Sequence, residues 1–327
     1  MRVLVTGGAG YIGSVVADRL LRVGHAVTVL DNLSKGRRQA VSSKAEFVQA
    51  DTGDQESVEH VFRTGRFNAV MHFAAFIEAG ESVLQPEKYF ENNSAKTLSL
   101  LRTVLKYQVP RFVFSSTAAV YGEPRRIPIM EDDPLDPTNA YGESKLMVER
   151  MLGWSHKAHG LRYASLRYFN AAGATAERGE AHNPETHLIP LVLQVALGQR
   201  PSISIFGTDY PTKDGTCIRD YIHIEDLATA HLLALDGLEE HPRLICNLGS
   251  GSGFSVREII EVARKITGRE IAAVESPRRA GDPAVLVASS EKIRQVLGWN
   301  PQRSEIEGIV RSAWEWFKAN PRYADNV

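Results

Sequence analysis

Tyr141-Gly142-Glu143-Ser144-Lys145 sets a phenol and an ammonium four residues apart. In a helix, positions i and i+4 share a face, so both groups can serve one site. A free tyrosine has a pKa of about 10 and is barely ionised at neutral pH. A neighbouring cation favours the phenolate, and each unit of lowering is worth about 1.4 kcal/mol. Lys145 therefore suits Tyr141 to general-base chemistry. A second feature, Gly7-Gly8-Ala9-Gly10-Tyr11-Ile12-Gly13, contains G-x-x-G-x-x-G between an apolar run and a helical pattern. Glycines there let the backbone approach a pyrophosphate, which the helix N-terminus stabilises through its free N–H groups. Asp31 closes the second apolar run, 18 residues past Gly13. A carboxylate there accepts hydrogen bonds from an adenosine ribose and repels a 2′-phosphate, which favours NAD over NADP. Lys35, Arg37 and Arg38 follow and are read as a solvated loop. Ser115-Ser116-Thr117 supplies hydroxyls at the end of another apolar run, where a sugar would meet a nicotinamide. Each motif is common alone; the three together point to one redox site.

Positioning these groups takes alternating strands and helices. Strands are expected at Val3–Thr6, Val27–Leu30, Phe47–Gln49, Ala69–Phe73, Arg111–Ser115 and Tyr163–Tyr168. Several are apolar on successive residues, the pattern of parallel strands buried on both faces. Helices are expected at Ile12–Val23, Gln55–Thr64, Ser94–Tyr107 and Tyr141–Ala158, with Lys157 and Gly160 as stop signals for the last. The fold class is α/β, a Rossmann-type doubly wound parallel sheet six or seven strands wide, with a smaller mixed α/β substrate domain. Asp51 and Phe73-Ala74-Ala75 fall at C-terminal strand ends, where ligands of such sheets collect. Past residue 170 comes a polar stretch, Gly173–Thr186, then a helix near Leu188–Gly198 and a turn-rich loop, Gly207–Gly215. Ser255-x-x-Glu258 and Ser304-x-x-Glu307 read as capping boxes of two later helices.

The 327 residues are 43% hydrophobic and 24% charged, and 38 Lys plus Arg against 39 Asp plus Glu leave a net charge of −1. That balance lacks the basic excess of a nucleic-acid binder. Apolar runs are too short to span a bilayer, so no membrane partner is expected. Cys217 and Cys246 match no metal or disulfide framework, which fits a reducing compartment. With the chain starting directly on a strand, a cytoplasmic protein without a leader is expected.

The glycine loop, Ser115–Thr117 with Val120-Tyr121-Gly122, and Tyr141-x-x-x-Lys145 resemble the extended short-chain dehydrogenase/reductases that act on nucleotide sugars. Asp31-Asn32-Leu33, Gly80-Glu81-Ser82-Val83, Leu166-Arg167-Tyr168-Phe169-Asn170, Asp209-Tyr210-Pro211-Thr212, Arg219-Asp220-Tyr221-Ile222-His223 and Arg278-Arg279-Ala280-Gly281-Asp282 extend the likeness almost end to end. Within the family they resemble its UDP-hexose 4-epimerases. The resemblance implies reversible interconversion of UDP-galactose and UDP-glucose, as in galactose metabolism, through a 4-keto sugar and tightly bound NAD. It implies NAD contacts from Gly7, Gly10, Tyr11, Ile12, Gly13, Asp31, Asn32, Asp51, Thr52, Phe73, Ala74, Ala75, Asn92, Ser115, Tyr141, Lys145 and Tyr168. Thr117 and Tyr141 would act on the sugar 4-hydroxyl, with Lys145 completing the catalytic set. Asn170, His187, Leu188, Phe206, Arg219, Tyr221, Arg279, Asp282 and Leu286 would hold the UDP-sugar. Residues 1–170, with a return of 216–240, would bind NAD, and 171–327 the UDP-sugar. A homodimer is implied, with helix Ser94–Tyr107 (Leu98, Leu101, Leu105) able to contribute a face. No metal is implied, and His156, His159, His182 and His187 are read as lacking ligand partners at useful spacing.

Three positions depart from the family pattern. Ile77 stands where many members place a lysine, His187 replaces a frequent asparagine, and Leu286 occupies a position whose size gates N-acetylated sugars. Rival readings include a 4-epimerase of UDP-N-acetylglucosamine, UDP-xylose or UDP-glucuronate, and a nucleotide-sugar dehydratase or decarboxylase. The last two carry a carboxylate after the active-site Ser/Thr, whereas here Ala118-Ala119 follow Thr117. A non-catalytic NAD-reading module would be expected to lose Tyr141 or Lys145.

Overall fold

A computed structural model describes residues 1–279 and 282–321, so Ala280 and Gly281 of the Arg278–Asp282 motif lie outside the described residues. Six parallel strands come first: β1 (Arg2–Thr6), β2 (Ala26–Asp31), β3 (Glu46–Gln49), β4 (Ala69–His72), β5 (Arg111–Thr117) and β6 (Arg162–Tyr168). The chain then forms β7 (Asn170–Ala172), β8 (Ile203–Phe206) and β9 (Ile218–His223) before β10 (Arg243–Leu248). Last come β11 (Gly253–Ser255), β12 (Ala273–Ser276) and β13 (Val285–Leu286). The large sheet has the order β10-β6-β5-β4-β1-β2-β3, parallel throughout. Strand order reverses beside β1, the switch point where open α/β sheets bind ligands. β10 is not among the strands expected from the apolar runs; it fills the edge next to β6 with Arg243↔Tyr163 register. A smaller sheet runs β11-β9-β13 with β7 also on β9, and β8 pairs β12.

The helices are α1 (Tyr11–Arg22), α2 (Gln55–Gly65), α3 (Ala79–Leu84), α4 (Pro86–Tyr89), α5 (Lys96–Lys106), α6 (Ala140–His159) and α7 (Leu188–Ala196). They are followed by α8 (Ile224–Gly237), α9 (Val256–Thr267), α10 (Glu291–Leu297) and α11 (Ile306–Ala319). Alternate residues of β1 feed separate cores. Val3 and Val5 pack with α1 and α8, while Leu4 packs with α2, α5 and α6. This double burial is why the strands read as unbroken apolar runs. A third core joins α7, α9 and α11 through Leu193, Ile259, Ile309 and Trp314. None of the described helices is long and apolar enough to cross a membrane.

Two local expectations change. The helix expected from Ser94 starts earlier, with Pro86 at the first position of α4, and passes through a π-helical turn, Phe90–Ala95, into α5. The wider turn shifts the apolar spacing, which hid the helix start. The capping box at Ser255 forms with Glu258, but Ser304 caps nothing. Its hydroxyl donates to Asp226 (2.7 Å) and accepts from the His223 N–H (3.1 Å), so tertiary partners take the group the motif would have used.

Candidate functional site

The β1–α1 turn is built by close approach. Gly7 adopts φ +73°, and a Cβ there would sit 2.4 Å from the Ala74 nitrogen; one on Gly13 would meet the Gly7 carbonyl oxygen at 2.3 Å. The turn therefore leaves its backbone bare at the N-terminus of α1, the shape and polarity of a pyrophosphate cradle. Asp31, nearly buried, accepts from the Ala9 N–H (2.9 Å) and the Leu33 N–H (2.8 Å). Burial raises its pKa, and those two N–H groups partly offset the effect. Asp51 at the end of β3 takes hydrogen bonds from Asn32 (2.7 Å) and Lys96 (3.0 Å). Asn92 lies in the π-helical turn, a feature frequent at functional sites.

Opposite these groups, α6 opens with Asn139 capping the Gly142 N–H at 2.9 Å, which fixes the start of the helix that carries Tyr141 and Lys145. Lys145 Nζ donates to the Ser115 carbonyl (2.9 Å) and lies 5.0 Å from the Phe114 ring. Burial pushes its pKa down to about 7. Tyr141 shares a hydrogen bond with Thr117; burial nevertheless raises its pKa, with Glu78 adding to the rise. The direction is opposite to the one expected from a cationic neighbour: burial dominates, and the Lys145 ammonium is directed to the Ser115 carbonyl. Ser115 and Tyr168 share a short hydroxyl–hydroxyl hydrogen bond.

Every residue expected to contact NAD lines one cavity: Gly7, Gly10, Tyr11, Ile12, Gly13, Asp31, Asn32, Asp51, Thr52, Phe73, Ala74, Ala75, Asn92, Ser115, Tyr141, Lys145 and Tyr168. Thr117, Asn170, His187 and the divergent Ile77 line it too. The remaining expected UDP-sugar residues do not. Arg219 pairs with Asp282, and the Arg279 guanidinium stacks 4.0 Å over the Phe206 ring. Leu286 is paired with Arg219 across β13 and β9 and packs beside Val120 and Tyr121. Leu188 and Tyr221 pack in the core of the smaller domain.

Lys35 and Arg37 are not a solvated loop. Lys35 pairs with Glu78 at 2.7 Å, and Arg37 donates to the Ala181 carbonyl at 3.2 Å, so both tie the β2 end to other segments. A buried network under the β5 end carries no motif in the sequence. Arg167 bonds Glu149 through Nε (2.9 Å) and a terminal nitrogen (2.6 Å), and Ser116 donates to the same carboxylate (2.6 Å). Arg167 also donates to Tyr121, which donates to Asn247 (2.7 Å). The only signal was two charged residues at positions otherwise patterned for burial. His182 and His187 also have carboxylate neighbours, Glu180 and Glu185, contrary to the spacing argument. Burial opposes the His187 cation, yet Glu185 and Glu180 hold its pKa up to about 9.

A parallel sheet with a glycine turn at its switch point and a Tyr–Lys pair across the cavity defines a dinucleotide-dependent enzyme of the short-chain dehydrogenase/reductase type. The sequence profile of the NAD dependent epimerase/dehydratase family matches residues 3–249, and the chain belongs to that family. It is 54% identical over 325 residues to a UDP-glucose 4-epimerase of Streptomyces lividans, covering 99% of this chain and 98% of that protein. It also resembles the crystal structure of a Brucella ovis UDP-glucose 4-epimerase in complex with NAD. That match has a TM-score of 0.93 and 45% identity, over 96% of this chain and 98% of that one. A Bifidobacterium longum UDP-glucose 4-epimerase in complex with NAD+ and UDP matches with a TM-score of 0.94 and 37% identity, over 98% and 99% of the two chains.

Proposed function

We propose that this chain reversibly interconverts UDP-galactose and UDP-glucose with NAD as its resident cofactor. The observation that carries the reading is the single cavity holding the bare glycine turn, Asp31, and the hydrogen-bonded Tyr141–Thr117 pair beside Lys145. The cradle fits NAD: a Cβ on Gly7 or Gly13 would close it, and Asp31 presents a carboxylate where an adenosine ribose would lie. When bound, NAD supplies reversible hydride acceptance from C4 of the sugar.

The chain's own groups do the rest. Tyr141 as the phenolate, which a protonated Lys145 and the positive charge of a bound nicotinamide would favour against the burial that raises its pKa, takes the proton of the sugar 4-hydroxyl directly or through Thr117 and later returns it. Lys145 gives a positive charge beside the phenol when protonated, and its pKa of about 7 leaves it available near neutrality. Arg219 and Arg279 suit a diphosphate through forked, charge-assisted hydrogen bonds, exchanging Asp282 and Phe206 for it. Anchored there, the UDP portion stays while the 4-keto sugar turns over, so the second face is reduced and C4 inverts. Ala118 and Ala119 offer no acid for elimination, which favours epimerisation over dehydration. In this reading residues 1–170 with α8 and β10 carry the cofactor, whereas β9, which joins the smaller sheet and not the large one as the expected return of 216–240 would require, carries the UDP-sugar with the rest of 171–327. The chain works in the cytoplasm as a homodimer, a state supported by exposed Leu98 on α5 and Trp154 on α6.

Proton NMR of the purified protein with UDP-galactose and no added NAD tests the reading. Growth of UDP-glucose signals to a fixed ratio is expected. A spectrum that stays unchanged even after NAD is added would overturn it.

A further inference from the structure

We propose that Glu180, His182, Glu185 and His187 form a four-ligand site for a divalent metal of the zinc class, set in the wall of the cofactor cavity. One ligand atom from each residue lies within 4.8 Å of all the others, the only such group among the described residues. A tetrahedral site with bonds of about 2.0–2.1 Å has edges of about 3.3 Å, so small side-chain movements close this cluster around an ion. The donor set is two imidazoles and two carboxylates, which suits zinc and discriminates against magnesium and calcium. Its charge is also right, since two carboxylates balance a divalent cation.

The local geometry supports a shared cation. His182 Nδ1 is 2.6 Å from Glu180 Oε1, yet that buried nitrogen completes no hydrogen bond there. The imidazole rings of His182 and His187 stand 5.4 Å apart at 34°. The carboxylates are held from behind, as outer-shell bonds hold ligating groups. Glu180 accepts from the Ala181 N–H (2.9 Å) and His182 N–H (3.2 Å), and Glu185 from the Thr186 and His187 N–H groups (both 2.7 Å).

Four protein ligands leave no open position, so the site is structural and takes no part in the sugar chemistry. Its consequence is mechanical. The segment 173–187 lacks regular structure, while Glu180, His182 and His187 line the cavity shared with Tyr141. An ion there fastens that wall and ties the start of α7, where His187 occupies the N-cap position, to the preceding loop. The inference is independent of the sugar that the enzyme turns over.

The test is zinc titration of the NAD-loaded, chelator-treated full chain, with metal content measured after dialysis and melting followed in parallel. Wild type is expected to bind one zinc per chain and to melt higher when loaded. His182→Asn and Glu185→Gln, each with unchanged far-ultraviolet circular dichroism, should weaken zinc by more than the roughly 10–100-fold that losing an outer-shell partner costs. Failure of wild type to retain stoichiometric zinc, or equal binding by both variants, would overturn the proposal.

Discussion

On the glycine-turn side of the site, strand ends and helix starts of one sheet deliver every expected contact residue to a single cavity. On the arginine side, Arg219 and Arg279 already hold protein partners, Asp282 and Phe206, outside that cavity. The first side is set by rigid local geometry: a Cβ at Gly13 would overlap the Gly7 carbonyl, and the α6 cap fixes Tyr141 and Lys145 together. The second is assembled from β9, the end of β8, Arg279, Asp282 and β13, far apart in sequence. The contrast teaches that the dinucleotide half is preorganised, whereas on the other side Arg219 and Arg279 hold protein partners that a UDP-sugar bound as proposed would have to displace. In that proposal the pairs that must be broken would reduce the binding energy on that side.

Substitutions can break this comparison. The largest effect belongs to Tyr141→Phe, which removes the proton acceptor but keeps the ring. Turnover should fall by roughly 100- to 10,000-fold, with NAD content unchanged by absorbance of the purified protein. Normal turnover would mean that the Tyr141–Thr117 pair is not the proton path.

Arg219→Met should act on the other side alone. Losing charge-assisted hydrogen bonds of about 1.5–3 kcal/mol each raises KM for UDP-galactose by roughly 10- to 100-fold. The NAD content stays at the wild-type level. Loss of NAD with little change in KM would erase the division between the halves.

The smallest effect sharpens the preorganised half. Lys145 has its folded pKa depressed by burial from 10.5 to about 7. Between those values the unfolded chain holds a proton that the folded chain has shed, so this group makes stability rise with pH across that window. In Lys145→Met the contribution disappears. Thermal melts of NAD-free protein from pH 6 to 9 should show wild type gaining a few degrees relative to the variant. A parallel pair of curves would place Lys145 in a solvated environment instead.

The sequence made the preorganised half legible because its signals are local. The i, i+4 spacing of Tyr141 and Lys145, the glycine spacing and the double-sided apolar strands all act within one or two elements. What escaped depended on tertiary partners. Ser304 carries a capping motif, but Asp226 takes its hydroxyl. Glu180 and His182 sit in a stretch without periodicity, and nothing in their spacing shows that it lies against the β2 end, where Arg37 binds Ala181. The Arg167–Glu149 pair is separated by a helix-to-strand connection, so no short-range pattern joins it. Leu101 is buried while Leu98 is exposed, a division that helical spacing alone left open.

The most direct test of the central claim follows an isotope. UDP-galactose carrying deuterium at C4 is incubated with the purified protein in ordinary water, with no NAD added. The account predicts UDP-glucose that retains deuterium at C4, since the hydrogen leaves and returns within one closed site. Product with protium at C4 would show exchange with solvent and contradict inversion by a resident redox cofactor.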